Sequence, residues 1–314
     1  MSHHVAVVGA GLIGRAWAIV FARAGFDVAL TDVSADALAK AGETIEASVY
    51  DLVTAGLVQN AGFTTQIRYE SELGAALAGA SYVQECGPEI LPAKQALFAE
   101  LEAASTPDTI LASSTSGILA SDFAAGLAHP ERCLVAHPVN PPYLIPLVEL
   151  VPAPATDPAV VERARALIEA AGQVPITVHQ EITGFVLNRL QGAMLNEAMR
   201  LVGGGYVSAD DLDNTVKHGL GLRWSFMGPL ETIDLNAPGG IADYAARYGP
   251  LYAGMAESQA QAPDWSESAI AELEHARRER LPATELAERQ AWRDRRLMAL
   301  AAHKRDMDNT DPEN

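Results

Sequence analysis

The 314 residues contain only two cysteines, Cys86 and Cys133, too few for a disulfide framework or a zinc site. Both fall in strand-like runs and read as buried thiols in a reducing compartment. Cationic side chains are also scarce: 22 Lys and Arg stand against 40 Asp and Glu, a formal net charge of −18. That deficit argues against nucleic acid and against anionic membrane surfaces as partners. A solubilising acidic surface accounts for it without identifying a substrate. No uninterrupted apolar stretch is long enough to span a bilayer. A first strand entered by Val5 leaves no room for a signal peptide, so a soluble cytoplasmic protein is expected. His3-His4 is too short for a tag or a metal site, and no metal is expected. There is no internal repeat and no low-complexity segment. Hydrophobic residues make up 49% and charged residues 20%, as in a globular chain, and the length exceeds a usual single core. Two domains are therefore expected.

The stretch from Val5 to Asp32 organises the rest. Val5-Ala6-Val7-Val8 is a short, β-branched apolar run suited to a strand covered on both faces. It leads into Gly9-Ala10-Gly11-Leu12-Ile13-Gly14, then an apolar helical segment ending at Gly25, and a second strand, Asp27–Thr31, that stops at Asp32. In this strand–turn–helix–strand unit Gly9 permits the tight turn, Gly11 lets backbone N–H groups approach a pyrophosphate, and Gly14 lets helix and strand pack closely. The helix start at Leu12 and Ile13 adds positive potential for phosphates. Asp32 can accept both hydroxyls of an adenine ribose and would repel a 2′-phosphate. With no Arg or Lys from Val33 to Ala39, the expected cofactor is NAD rather than NADP.

After Asp32, Ser34 can cap a long helix running towards Gly56. Strand-like segments recur at Thr65–Tyr69, Ser81–Glu85, Thr109–Ser113, Arg132–His137, Leu147–Val151 and Val174–Val178, with helical patterns between several of them, notably Leu91–Ala104 and Pro158–Ala171. This alternation predicts an α/β fold with a doubly wound, mainly parallel sheet. From Gly184 the pattern is helical only: one helix ending at Gly203-Gly204-Gly205, a short one capped by Ser208 with Asp211 in the capping-box position, and others over Pro229–Tyr248, Ser266–Arg280 and Thr284–Lys304. Asp306–Asn314 reads as a frayed tail. The expected domains are residues 1–183 and an all-helical 184–314.

Several residues could carry chemistry. A strand delivers His137 at its C-terminal end, where ligands sit in open α/β sheets. Pro138, Pro141 and Pro142 then force a rigid, extended excursion, and a returning strand carries Glu149. A carboxylate that holds one ring nitrogen orients the imidazole as a base, which suits removal of a hydroxyl proton as hydride leaves for nicotinamide. The pattern equally admits a buried structural histidine and a surface glutamate. Ser116, in Ala112-Ser113-Ser114-Thr115-Ser116-Gly117, could hydrogen-bond a reacting oxygen or lie in a plain serine-rich turn. Asn188, in the first turns of the helix after Gly184, could donate to a substrate oxygen; interior asparagines are poor helix formers. Glu85, Glu89 and Lys94 follow the fourth strand, by position lining the nicotinamide half of a crevice and by default solvated.

Three segments together resemble the 3-hydroxyacyl-CoA dehydrogenase family, in its lambda-crystallin and L-gulonate 3-dehydrogenase branch. They are Ala136–Tyr143 through Ile145–Pro152, Gly184–Gln191, and Gly219–Thr232 followed by Leu235-Asn236-Ala237. The resemblance covers nearly the whole chain. It implies NAD-dependent oxidation of a 3-hydroxy group, a Rossmann domain followed by a helical dimerising domain, and catalysis in the crevice between them. It implies His137 as general base, Glu149 as its partner, and Ser116 and Asn188 as substrate-oxygen ligands. Asp32, Glu89, Lys94 and Asn140 match positions that contact NAD. The chain departs from the acyl-CoA enzymes where their His-Phe-Phe-Asn-Pro becomes His137-Pro138-Val139-Asn140-Pro141, and where Leu222-Arg223-Trp224-Ser225-Phe226 replaces a small, apolar approach to Met227-Gly228-Pro229. Arg223 is a fixed cation with a forked geometry that suits a substrate carboxylate, although a salt bridge to an acidic neighbour is the plainer role. A small free 3-hydroxy acid such as L-gulonate is the expected substrate. A 3-hydroxyacyl-CoA such as 3-hydroxybutyryl-CoA, or a non-catalytic NAD-binding crystallin-like role, is the alternative.

Overall fold

Every residue of the first strand, β1 (His4–Val8), from Val5 onward is buried, as the apolar run requires. The computed structural model describes residues 4–308 and Thr310. His3 and most of the expected C-terminal tail lie outside the described residues.

β1 is followed by α1 (Leu12–Arg23), β2 (Asp27–Thr31), α2 (Ala35–Thr54), β3 (Ile67–Glu70), α3 (Leu73–Leu77), β4 (Tyr82–Glu85), α4 (Leu91–Ala104), β5 (Ile110–Ser113), α5 (Ala120–Phe123), β6 (Cys133–Pro138), β7 (Leu147–Pro152), α6 (Pro158–Ala170) and β8 (Val174–Thr177). Ser34 caps α2 by accepting from the Ala37 N–H at 3.2 Å. The strands form one sheet in the order β3-β2-β1-β4-β5-β6-β7-β8. The first six run parallel, β7 is antiparallel to β6, and β8 is parallel to β7. The order reverses at β1, so a crevice opens beyond the C-terminal ends of β1 and β4. Each face has its own core. On one, Trp17, Phe21, Ile45 and Leu52 from α1 and α2 join Ile168 of α6; on the other, Phe98 and Phe123 lie 4.2 Å apart, centroid to centroid. Each such fully buried side chain contributes about 1.5–3 kcal/mol.

The helical elements are α7 (Leu187–Gly203), α8 (Ala209–Thr215), a π-helical turn at Val216–Leu220, α9 (Gly221–Trp224), α10 (Pro229–Leu235), α11 (Gly240–Gln259), α12 (Glu267–Arg280) and α13 (Leu286–Asp308). Ser208 and Ser266 cap α8 and α12 through the Asp211 and Ala269 N–H groups. The single helix expected over Pro229–Tyr248 is two, α10 and α11, broken at residues 236–239. Pro238 has no N–H to donate, Gly240 adopts φ +70°, and Asp234 Oδ1 turns back to accept from the Ile241 N–H at 2.7 Å.

The chain divides into two compact units, one running to Asn188 and resuming at Gln290, the other Arg189–Arg289. The sequence put the boundary at Thr183 and kept 184–314 together. The last helix instead returns to the sheet unit: Met298 is buried in the core with Trp17 and Ile45, and Arg305 Nη1 donates to the Gly56 carbonyl at 2.6 Å. Residues 306–308, expected to fray, continue α13. Among the described residues no helix is long and apolar enough to cross a membrane.

Candidate active site

The glycine turn is shaped by steric exclusion. Gly9 adopts φ +107°, and a Cβ there would lie 2.6 Å from the Cys86 carbonyl oxygen. A Cβ on Gly14 would lie 1.7 Å from the Gly9 carbonyl oxygen, so α1 and the turn touch. Gly11 differs: it caps α1 in extended backbone, and a Cβ would meet nothing within 4 Å. That open space, beside the N–H groups of Leu12 and Ile13 in the first turn of α1, fits a pyrophosphate. Asp32 ends β2 with one oxygen accepting from the Ala10 N–H at 2.7 Å and the other from the Ser34 N–H at 2.8 Å. The residues present therefore fit a dinucleotide.

His137 and Glu149 meet because the antiparallel register of β6 and β7 sets their Cα atoms opposite each other. Both are buried, and His137 Nδ1 lies 2.8 Å from Glu149 Oε2. Glu149 Oε1 accepts from the N–H groups of Val186 and Leu187 at 2.8 and 2.9 Å, just where α7 begins. Burial pushes this carboxyl towards a higher pKa. The hydrogen bonds from His137, Leu187 and Val186, with the imidazole's charge, outweigh that and hold it below the usual glutamate value. An ionised carboxylate can only accept, so Nδ1 carries a proton, and in the neutral form of the ring Nε2 is the acceptor. Glu149 is therefore not the surface glutamate the sequence admitted, and His137 is buried beside it.

Phe185, to which the sequence gave no role, precedes those two N–H groups. It is fully buried, adopts φ +49° and sets its ring 5.5 Å from the imidazole. A bulky residue in the left-handed region is a backbone outlier held by its surroundings, and such outliers gather at functional sites. No sequence signal identifies it beyond the preceding glycine.

Asn188, in the first turn of α7, donates from Nδ2 to the Ser116 carbonyl at 2.8 Å, which ties the helix to the serine turn. Ser116 itself is exposed. Glu89 Oε1 accepts from the Thr115 hydroxyl and from the N–H groups of Ser116 and Gly117. Glu85 and Lys94 are not solvated charges: Lys94 Nζ lies 2.9 and 2.7 Å from the two Glu85 oxygens, and both side chains are 1% exposed. Lys94 thus sits within the wall behind the β4 end. Asn140 is exposed and precedes a cis bond to Pro141. The proline segment closes as a turn, not an extended excursion, because Leu144 and Ile145 both donate to the Pro141 carbonyl. Burial raises the Cys133 thiol to about 12 and drives Cys86 higher still, so neither supplies a thiolate at neutral pH. Arg223 belongs to the other unit, exposed on α9, and is in no ion pair among the described residues.

Comparison with known proteins matches this architecture. The NAD-binding domain of 3-hydroxyacyl-CoA dehydrogenase is matched over residues 4–182 and its C-terminal domain over residues 184–280. A lambda-crystallin homolog from Bos taurus is 45% identical over 309 residues, covering 96% of each chain. An L-carnitine dehydrogenase from Pseudomonas aeruginosa is 35% identical over 296 residues, covering 94% of this chain and 92% of its own. Among solved structures, the NAD-dependent 5-formyl-3-hydroxy-2-methylpyridine 4-carboxylic acid 5-dehydrogenase superposes with TM-score 0.84 at 26% identity, covering 99% of this chain and 100% of that one. With its strand order, dinucleotide turn and matched domains, the chain belongs to the 3-hydroxyacyl-CoA dehydrogenase family and is an NAD-dependent oxidoreductase acting on CH–OH groups.

Proposed function

We propose that the protein oxidises the 3-hydroxyl of a small free hydroxy acid, L-gulonate among the candidates, as a cytoplasmic homodimer. The observation that carries this reading is the buried Glu149, which fixes His137 with Nε2 as acceptor and is itself fastened to the start of the helix bearing Asn188. His137 takes the hydroxyl proton at Nε2, and the Glu149 carboxylate stabilises the imidazolium that results. Ser116 and Asn188 steady the reacting oxygen as it becomes a carbonyl. NAD, when bound, would supply the hydride acceptor. Gly9, Gly11, Leu12, Ile13 and Gly14 would hold its pyrophosphate, and Asp32, Glu89 and Asn140 would contact the remainder. Lys94 acts from behind the wall by holding Glu85.

Arg223 anchors the substrate carboxylate. Its lack of an ion pair among the described residues supports this, as does a relative that acts on L-carnitine, itself a free 3-hydroxy acid. The family's name favours a second reading, a 3-hydroxyacyl-CoA substrate. A panel of free 3-hydroxy acids and their CoA esters, followed by NADH absorbance, separates the two. Turnover of the free acids, with a raised KM in Arg223→Ala, is expected. Turnover of the esters alone, or an Arg223→Ala variant with unchanged KM and kcat, overturns the free-acid reading.

A further inference from the structure

The turn that follows β5 is built in an unusual way. From Thr115 to Ile118, each backbone N–H is held by a side-chain oxygen. The Thr115 N–H donates to Ser113 Oγ at 3.2 Å, and the Ser116 N–H to Glu89 Oε1 at 2.9 Å. The Gly117 N–H is shared between Glu89 Oε1 and Thr115 Oγ1, at 3.2 and 3.3 Å, and the Ile118 N–H goes to Thr115 Oγ1 at 2.9 Å. The Thr115 hydroxyl, 2% exposed as a residue, donates in turn to Glu89 Oε1. Two oxygens, one on Thr115 and one on Glu89, therefore fix three consecutive amides. The device is anchored below, since Ser113 Oγ donates to Glu85 Oε2 at 2.6 Å and Glu85 is neutralised by Lys94. It is anchored above by the Asn188 amide on the Ser116 carbonyl. Ser116 and Gly117 stand exposed at its tip, and of the two only Ser116 carries a side chain.

We propose that Thr115 and Glu89 form a latch that positions Ser116. Thr115 and Glu89 are then positioning residues that act on the reaction through the Ser116 hydroxyl, in Glu89 alongside any contact its carboxylate makes with the cofactor. The inference rests on the reading of Ser116 as a ligand of the reacting oxygen. The physical case is one of convergence: a turn needs no side-chain oxygen at every amide, and a buried threonine hydroxyl bound to a carboxylate has only one favourable orientation. A hydroxyl that must meet an oxygen within a fraction of an ångström benefits from that rigidity, because misplacement erodes stabilisation of the transition state without preventing binding.

Thr115→Val keeps the side chain's volume and removes its oxygen. The expected result is a kcat lower by about tenfold or more, the worth of one well-placed hydrogen bond, with KM for NAD changed by less than about threefold. Thr115→Ser restores the hydroxyl and returns kcat to within about threefold of wild type. In a Ser116→Ala background Thr115→Val changes kcat by less than about twofold, since the latch then has nothing to position. Amide hydrogen exchange, which requires no substrate, is expected to quicken by about tenfold or more at residues 116–118 in Thr115→Val. Unchanged exchange there overturns the latch whatever the enzyme turns over. A wild-type kcat in Thr115→Val, multiplicative effects with Ser116→Ala, or a Thr115→Ser variant as impaired as valine overturns its role through Ser116. Absence of hydroxy acid turnover in the wild type would instead remove the substrate reading, with the latch still decided by the exchange data.

Discussion

Replacing Glu149 by glutamine reverses the tautomer of His137, and the reversal can be worked through from the contacts. Oε1 accepts two backbone N–H groups, from Val186 and Leu187, and Oε2 faces His137 Nδ1. A glutamine has one oxygen to offer. Turned so that its NH₂ met the two backbone donors, it would leave both part-buried N–H groups without their acceptor, at up to about 1–3 kcal/mol each. The oxygen therefore stays with Val186 and Leu187, and the NH₂ points at Nδ1. Two donors cannot face each other, so the ring proton moves to Nε2, the nitrogen proposed to act as base. The fold survives, losing about 1–3 kcal/mol for one charge-assisted bond out of a typical 5–15. The kcat falls by about 10²–10⁴-fold, the range for losing a general base through its orienting carboxylate. Initial rates from NADH absorbance give kcat, tryptophan fluorescence gives the Kd for NAD, and nitrogen chemical shifts of His137 report the tautomer directly. A folded Glu149→Gln protein with kcat within about threefold of wild type, or with Nδ1 still protonated, would refute the reasoning.

Gly11→Ala should keep the wild-type Tm and weaken NAD binding, whereas Gly14→Ala, whose Cβ would lie 1.7 Å from a carbonyl oxygen, should lose several degrees of Tm even without cofactor; equal Tm values would refute the distinction. Lys94→Met strands the buried Glu85 carboxylate and should cost about 3–5 kcal/mol in urea unfolding, with a loss below about 1 kcal/mol contradicting the buried pair. Because the folded protein holds Glu149 below the ordinary glutamate value of about 4.3, its ionised form adds stability above that pH, and the gain is lost as pH falls through the depressed folded value. Wild type should therefore exceed Glu149→Gln in stability near neutrality, with the gap closing below about pH 4; a constant gap would count against the linkage.

The sheet was legible because its inner strands β1, β4, β5 and β6 are almost wholly buried and read as apolar runs, and because a long crossover helix such as Leu91–Ala104 starts and stops where its pattern does. The His137–Glu149 pair was half legible. Two strands separated by a short proline-rich segment were readable, but only the ladder register decides that these two side chains face each other. Other features resist reading for stated reasons. The left-handed Phe185 contradicts its own local preference and is imposed by tertiary contacts. Glu85 and Lys94 are of types that default to solvent, and their burial depends on α4 packing over the β4 end. The return of α13 rests largely on Met298 within a helix otherwise dense in Arg, Asp and Glu, a pattern that reads as a surface helix. At residues 236–239 the breakers were present in the sequence, and the apolar spacing on either side outweighed them in the reading.

The acids around the crevice share one habit that bears on how their roles can be separated. Asp32 accepts from the Ala10 and Ser34 N–H groups, Glu85 from Gly87, Glu89 from Ser116 and Gly117, and Glu149 from Val186 and Leu187. Each shapes a turn or a helix start in addition to whatever chemistry its charge performs. Alanine at any of these positions removes the acceptor, frees buried or half-buried amides and disturbs the local backbone, so a loss of activity would say little about charge. The corresponding amide keeps one acceptor oxygen for the backbone and gives up only the charge and the second acceptor. A carboxylate that serves structure alone should tolerate that exchange, and one that steers a proton, as proposed for Glu149 with His137, should not.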